Sequence, residues 1–320
     1  KTGLVNAPTG SGKTYSLLMP ILLEFLRDHP EKPKNSGLRA IWITPIRALS
    51  KEIQLSAERA TEGLDVPWQM GVRTGDTSLS KRTRQRVRPP EFLITTPESL
   101  HLLLASKGYA EYFADLRTIV VDEWHELMGS KRGVQVELAL SRLKMLAPGL
   151  KVWGISATIG NMDQALDVLV GSDYKRKNIT VIRADVKKEM EIVPVLPDEL
   201  ERMPWSGHLG IHMVKKVIPI INSSQSTLVF TNVRFGAEIW YQKLLEVAPE
   251  LSGVMAMHHS AISPQLRTWV EEQLHEGNLK AVVCTSSLDL GVDFRHHKPS
   301  ATDRSRLGQF RRHHAAGPAP

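Results

Sequence analysis

Ala7-Pro8-Thr9-Gly10-Ser11-Gly12-Lys13-Thr14 follows directly on the apolar pair Leu4-Val5 and opens a helical pattern. Strand, glycine-rich turn and helix together let a backbone curl several N–H groups around a polyphosphate, with the positive end of the helix dipole added. In that arrangement Thr9, Gly10, Ser11 and Gly12 form the cradle. Lys13 reaches the outer phosphates, and the Thr14 hydroxyl reaches Mg²⁺. The generic pattern begins with Gly where this chain has Ala7. Further along, Ile119-Val120-Val121 runs into Asp122-Glu123-Trp124-His125. An apolar run ending in two acids puts Asp122 at the carboxyl end of a strand, where α/β sheets place ligand chemistry. Asp122 would hold Mg²⁺ through water, and Glu123 would orient the attacking water. The two elements together read as a site of nucleoside-triphosphate hydrolysis.

A chain of 320 residues with 42% hydrophobic and 23% charged content has room for two soluble globular domains, each with its own core. The only cysteine, Cys284, follows Ala281-Val282-Val283, which excludes an internal disulfide and points to a reducing, cytoplasmic setting. The most apolar stretch, Leu17 to Leu26, is broken by Pro20 and Glu24 and is too short to span a membrane. The chain starts at Lys1 rather than Met, close before the loop, and on that ground reads as a fragment. The formal charge is +7, but Arg295 to Pro320 carries six Lys or Arg against the single acid Asp303. That tail accounts for +5 of the total and leaves +2 for the rest, so the net charge is a weak sign of a polyanionic partner. The run Lys81 to Arg88 is a better sign, with a solvated basic loop as the equally weighted alternative.

Strand and helix signals alternate along the chain, the pattern of parallel sheets with crossover helices. Helices are expected over Lys13–Arg27, Ala48–Ala60, Val134–Met145, Met213–Ile221, Glu238–Val247 and Pro264–His275. Strands are expected at Ala40–Ile43, Phe92–Thr95, Ile119–Val121, Val152–Ser156, Thr227–Thr231, Gly253–Met257 and Lys280–Thr285. Thr96 stands where a cap would be, with Pro97 in the first turn of the next helix. Pro194, Pro197 and Pro204 interrupt the pattern after Ile182. The expected organisation is therefore a first domain over residues 1–182, a second over 183–294, and a basic tail over 295–320 that reads as disordered.

Three further motifs end strands: Thr44-Pro45-Ile46-Arg47, Thr95-Thr96-Pro97-Glu98-Ser99-Leu100 and Ser156-Ala157-Thr158. With the phosphate loop and Asp-Glu-Trp-His, this series resembles superfamily 2 helicases of the DExH type. The runs Val121 to Gly133 and Ser156 to Asn161 are similar to the large helicase-related branch. Arg39 to Glu52, Arg73 to Thr77 and Thr285 to Phe294 are similar to its ligase-associated bacterial members. The resemblance implies two tandem RecA-like domains with parallel sheets, the second incomplete, binding ATP and Mg²⁺. It implies contacts to one nucleic-acid strand from Thr44, Pro45, Arg47, Arg73, Thr74, Gly75, Thr95 and Thr96. In the second domain it implies the same for Thr231, Asn232, Arg234 and Ser286, with Gly291 and Asp293 closing on the nucleotide. Ser156, Ala157 and Thr158 would couple the two ligands, and His125 would link the ATP site to the second domain, against the alternative of a hydrogen-bonded core histidine. His258-His259 resembles the family's paired histidines. Trp42 and Trp124 read as packing residues, and Trp205 as a residue of unsettled role. Hydroxyls and helix N-termini at strand ends suit phosphates and position a strand without reading its sequence.

The resemblance further implies 3′-to-5′ movement on single-stranded DNA, unwinding of DNA or RNA:DNA duplexes, and a repair setting in the bacterial cytosol or nucleoid. An ATP-dependent DNA ligase and a nuclease would be its partners, with no membrane involved. The family's sixth motif, Gln-Arg-x-Gly-Arg, would follow Asp293. Arg304, Arg306, Arg311 and Arg312 do not reproduce it. The change of character at Arg295 reads as a shifted reading frame in a longer parent gene. The alternative function is therefore a fragment that binds ATP and nucleic acid without productive unwinding.

Overall fold

The computed structural model describes residues 1–8, 11–45, 47–157, 159–171, 179–184, 191–196, 210–285, 288 and 312–314. The chain divides into two compact units, Lys1–Val186 and Lys187–Pro320.

In chain order the first unit contains β1 (Thr2–Asn6), α1 (Lys13–Asp28), β2 (Ala40–Ile43), α2 (Arg47–Gly63), β3 (Met70–Arg73), α3 (Leu79–Val87), β4 (Phe92–Thr95) and α4 (Pro97–Leu104). It continues with α5 (Tyr109–Tyr112), β5 (Thr118–Val121), α6 (Trp124–Leu127), α7 (Lys131–Leu146), β6 (Lys151–Ser156), α8 (Met162–Val170) and β7 (Ile179–Arg183). The seven strands form one parallel sheet in the order β3-β4-β2-β5-β6-β1-β7. Both faces are covered, and the period of two along each strand decides which face a residue joins. Leu4, Ile41, Ile43, Leu93, Ile119 and Val121 pack with Leu100 and Leu103 of α4, Leu140 and Leu143 of α7, and Leu169 of α8. Their neighbours Val5, Trp42, Phe92, Ile94 and Val120 pack with Leu18 and Leu22 of α1 and Ile53 and Ala57 of α2 on the other face. Pro20 lies on the exposed side of α1, so the backbone bond it removes falls toward water.

The second unit contains α9 (Val214–Ser223), β8 (Thr227–Phe230), α10 (Arg234–Val247), β9 (Met255–His258), α11 (Pro264–His275), β10 (Ala281–Cys284) and β11 (Arg312–His314). Its sheet is also parallel, in the order β11-β8-β10-β9. Val229, Met255 and Val283 face α9 and α10, while Leu228, Phe230, Val282 and the free Cys284 face α11. Among the described residues no helix is long and apolar enough to cross a membrane.

Several elements differ from what the sequence pattern suggests. Lys81 to Arg88 is not a loop: most of it is α3, capped by the Ser78 hydroxyl. Two edge strands, β3 and β7, are not among the expected strands: β3 carries no apolar run, whereas β7 offers Ile179, Val181 and Ile182 but leaves the last two exposed. Helix α10 starts at Arg234, four residues before its apolar period becomes visible at Glu238. Thr96 occupies the cap position of α4, yet its hydroxyl pairs with Ser99 Oγ at 3.2 Å rather than with a backbone N–H. Residues 312–314 pair with β8 through backbone groups alone, which needs no apolar side chains. The other residues after Arg295 lie outside the described ones, as does Trp205.

Close approach of backbones fixes β7 on β1. Gly3 pairs with Thr180, and a Cβ at Gly3 would fall on the Thr180 carbonyl oxygen. The variant Gly3→Ala is expected to lose about 1–3 kcal/mol of stability through overpacking. Urea unfolding of the full chain checks this, and an unchanged midpoint would mean that β7 is not held against β1.

Candidate functional site

All seven strands of the first sheet point the same way, so their carboxyl ends emerge on one edge. The order β5-β6-β1 sets the end of Val121, the end of Ser156 and the start of the glycine-rich turn side by side, at about 4.8 Å per strand. Three segments far apart in sequence become one site. Parallel pairing of Asn6 with Ser156 and a hydrogen bond from Ala7 N to Ser156 O at 3.0 Å fix the entry to the turn. Gly12 caps α1 with φ 81°, a left-handed conformation that glycine adopts freely. Ser11 closes the turn from its hydroxyl to Pro8 O at 2.6 Å. Thr9 and Gly10 lie outside the described residues.

Lys13 is buried at the first position of α1, and its Nζ stands 3.4 Å from Glu123 Oε1. Thr14 follows it, partly exposed. Asp122 is buried at the end of β5. Its Oδ2 accepts a hydrogen bond from Trp42 Nε1 at 3.0 Å, and its Oδ1 accepts one from Glu123 N at 2.9 Å. Burial pushes the Asp122 carboxyl up to about 6, and the neighbouring Glu123 charge adds to this. The Trp42 bond, the Lys13 charge and the Glu123 N–H act in the opposite sense without overcoming it. Glu123 itself sits at φ 44° and ψ 49°, a left-handed conformation costly for a residue with a side chain and a recurrent mark of functional sites. It turns the chain sharply between β5 and α6 and brings the carboxylate back over Lys13.

His125 stands on α6 with Nδ1 3.0 Å from Ser156 Oγ and 3.5 Å from Glu123 Oε2. Its side chain is 19% exposed, so the ring is wedged between the ends of β5 and β6 rather than free in solvent. Ala157 is partly exposed beside it, and Thr158 lies outside the described residues. Trp124 packs fully buried with its indole N–H donating to Ala165 O at 2.9 Å. Trp42 packs too, but it is also the donor that holds Asp122, a role the sequence did not reveal. A tryptophan in a strand beside an acid-ended strand is a usable signal, since a buried indole N–H normally finds an acceptor.

The order β3-β4-β2 collects another group on the same edge. Thr44 is buried, with its N–H on Thr95 O at 2.9 Å. Thr95 is buried, its hydroxyl donating to Arg73 O at 2.9 Å, and Thr96 is buried with its hydroxyl on Ser99. Thr74 is buried and accepts from Asp76 N at 3.4 Å, while Gly75 is exposed. The threonine hydroxyls thus tie β4, β3 and the following turns together. Pro45 is buried, and Arg47 opens α2. In the second unit the single Thr231 hydroxyl hydrogen is shared between Val233 O at 3.1 Å and Cys284 O at 3.3 Å, joining the ends of β8 and β10. Asn232 and Arg234 are exposed at the start of α10. His258 is buried with Nε2 3.0 Å from Glu271 Oε1, and His259 Nδ1 accepts from Ala261 N at 3.2 Å. Ser286, Gly291 and Asp293 lie outside the described residues.

The glycine turn, the buried lysine and the acid pair stand together at one edge of a parallel α/β sheet, an arrangement suited to a nucleotide, and comparison with known proteins shows the family. The family model "DEAD/DEAH box helicase" matches residues 1–165. The chain is 36% identical over 303 residues to the "ATP-dependent helicase Lhr-Core" of Methanothermobacter thermautotrophicus, across 91% of this chain and 35% of the relative. It is 30% identical over 348 residues to the "Lhr helicase/uracil glycosylase" of Escherichia coli, across 91% of this chain and 22% of that protein. Among solved structures, the Mycobacterium smegmatis helicase Lhr bound to ssDNA and AMP-PNP superposes with a TM-score of 0.69 at 30% identity, over 92% of this chain and 38% of that one. The chain belongs to the DEAD/DEAH box helicase family, and its relatives place it on the large helicase-related branch of superfamily 2. It spans about a third of the length of its archaeal relative, 35%.

The raised Asp122 carboxyl has a measurable consequence in the metal-free protein. A group whose folded value lies above its unfolded value of 3.8 adds stability below that value and loses it as pH rises through about 6. A displacement of that size corresponds to a loss on the order of 3 kcal/mol across the window. Asp122→Asn removes the titration, so its stability relative to the parent should improve between about pH 4 and pH 7, as chemical denaturation at a series of pH values would register. A constant difference would place the charge elsewhere. Trp42→Phe deletes the donor and also leaves a void at a fully buried position, a cost that does not depend on pH; the lost bond is expected to add about 1.5–3 kcal/mol at about pH 8 and less at about pH 5, where the acid is protonated.

Proposed function

We propose that this chain is the ATP-hydrolysing motor core of a large helicase-related DNA helicase. What carries the reading is the meeting of Lys13, Asp122 and Glu123 at the ends of β1 and β5, with Ser156 at the end of the strand between and His125 of α6 bonded to it. The buried Asp122 with its raised carboxyl and the adjacent Glu123 leave negative charge that Lys13 alone does not neutralise. Hard oxygen donors and surplus negative charge fit Mg²⁺, which takes one or two protein oxygens and completes its shell with water and phosphate. Asp122, through water, and the Thr14 hydroxyl would hold it, and the ion would neutralise charge developing on the phosphates.

The chain's own residues supply the rest. Backbone N–H groups of the turn and the start of α1 receive the phosphates. Lys13, paired with Glu123 at 3.4 Å, exchanges that carboxylate for the outer phosphate oxygens. Glu123 is then released to orient and deprotonate the attacking water. The His125–Ser156 contact reports on that exchange, because His125 lies within 3.5 Å of the same Glu123 carboxylate.

Single-stranded DNA is the polymer we assign to the β3-β4-β2 half of the edge, through backbone groups and turns near Thr44, Arg47, Arg73–Gly75, Thr95 and Thr96. Thr231, Asn232, Arg234 and Ser286 would serve the second unit, and Gly291 and Asp293 the nucleotide. Support comes from the bound ssDNA and AMP-PNP of the mycobacterial relative. Movement 3′-to-5′, opening of DNA or RNA:DNA duplexes, a repair role in the cytoplasm, and a ligase and a nuclease as partners rest on the sequence resemblance. Opening costs about 1.4 kcal/mol per base-pair step, so hydrolysis must be tightly coupled to movement.

The second reading is a module that binds ATP and nucleic acid without turnover, favoured by the unmatched sixth motif after Asp293. ATP hydrolysis with and without single-stranded DNA separates the two. DNA-stimulated hydrolysis that falls by about 10²–10⁴ in Glu123→Gln, and disappears in Lys13→Ala, is the motor outcome. Hydrolysis at background in the parent chain is the outcome for the inert module.

A further inference from the structure

Helix α3 contributes no buried residue, and its Leu79 and Val87 are 81% and 82% exposed. Apolar packing therefore does not hold it. Polar clamps do. Arg82 Nη2 donates to Thr74 O and Gly75 O, each at 2.9 Å, and Gln85 Nε2 donates to Val72 O at 3.1 Å. Arg73 Nη1 returns a bond to Arg82 O at 3.2 Å. Three residues apart, Arg82 and Gln85 share the face turned to the body. Lys81 and Arg84, also three apart, lie together on one flank of that face, and Arg86 lies on the other. All three are exposed.

The charge of this helix is one-sided. From Thr77 to Pro90 the sequence holds Lys81, Arg82, Arg84, Arg86 and Arg88 and no acid. Arg88 leans on Asn35, a neutral partner. Around the turn after β3 the Arg73 guanidinium is held below its ordinary range, by burial first and also by the charges of Arg82 and Arg86. Cations that oppose one another this closely, on a helix with no apolar anchor, raise the local positive potential instead of neutralising it. A helix with such a surface breaks the ordinary rule that a surface helix buries an apolar stripe.

We propose that α3 is a second phosphate-binding surface for nucleic acid, in which Lys81, Arg84 and Arg86 hold phosphodiesters beyond those held at the ends of β2 and β4. The proposal rests on the motor reading above. Its clamps attach the ridge to the Arg73–Gly75 turn, so the ridge and the strand-end residues move as one body. Cationic side chains of this kind position a polyanion independently of its sequence, and their hold weakens steeply with salt.

Salt dependence tests it directly. Affinity of the full chain for a labelled single-stranded oligonucleotide, and for a duplex with a single-stranded tail, is measured across a KCl series. For each phosphate no longer neutralised, the slope of log affinity against log salt should shrink by about 0.7 on the single strand and about 0.9 on the duplex. Lys81→Gln and Arg84→Gln are each expected to show one such step, and the double variant to show both. Lys81→Arg should keep the parent slope, which unfolding of the helix would not allow. A change seen with both probes places the ridge on the bound single strand, and one confined to the tailed duplex places it on the duplex arm. Parent-like slopes in the double variant on both probes overturn the inference while leaving the motor reading intact. No binding of either probe by the parent chain instead removes the motor reading beneath it.

Discussion

Every strand of the first sheet runs in the same direction, and the function of this chain depends on that constraint. A parallel sheet cannot join neighbouring strands by tight turns, so each strand is followed by a crossover helix and all carboxyl ends emerge together. Sequence order and spatial order then separate. Residues 7, 8 and 11–14, residues 122–125 and residue 156 are distant along the chain, yet the order β5-β6-β1 makes them neighbours. The two-sided burial of the strands stabilises this order, since a slip of one residue would exchange the sets that face α1 and α2 with those that face α4, α7 and α8.

The chemistry at that edge is held in a state that resists its own charge. Asp122 and Glu123 are adjacent carboxylates at the end of a buried strand, with Lys13 opposite the second of them. Placing two acids there costs desolvation and repulsion, visible in the raised Asp122 carboxyl. The left-handed turn at Glu123 adds a conformational cost of about 1–3 kcal/mol. Such costs persist because Trp42, the Glu123 N–H and Lys13 offset part of them. A polyphosphate alone would worsen the balance, whereas a divalent cation with it would relieve it. On the proposed reading, the site would therefore suit a metal–nucleotide pair better than either alone.

Much of this was legible in the sequence, and the reasons for the remainder are specific. The apolar strands β2, β4, β5 and β8 are runs of four buried residues flanked by turn signals, and such runs identify themselves. Strand β3 escapes because an edge position asks for little apolar surface, whereas β7, with Ile179, Val181 and Ile182, carried a strand signal that went unread. The meeting of Lys13 at the start of α1 with Asp122 and Glu123 after β5 was readable, because the glycine-rich turn and the acid-ended apolar run each mark the carboxyl end of a strand. Trp42 was not, because its bond to Asp122 depends on the pairing of β2 with β5, and register is a property of the folded sheet. The threonines at 44, 95 and 96 were placed correctly at strand ends. Their burial could not be read, since it depends on which turns close over them.

The distribution of charge makes the same point at larger scale. A formal charge of +7 says little here, because most of it belongs to the segment after Phe294. The informative quantity is where uncompensated cations stand in the fold. Among the acids of the first unit, Glu91 is consumed by the backbone N–H groups of Ser36 and Gln69, and Glu98 by Arg132. On α3 no acid answers Lys81, Arg84 or Arg86 within the helix, and the helix is fastened to the turn that follows β3. The same sheet edge therefore presents negative charge at β5, where the proposed reading puts the cation and nucleotide, and positive charge beside β3, where it puts a polyanion. Because the strand order puts β4 and β2 between them, the two polarities stay separated by rigid, buried sheet rather than collapsing into ion pairs. On the proposed reading, that separation would let one unit bind a metal–nucleotide complex and a nucleic-acid backbone at once, and it arises from strand order rather than from composition.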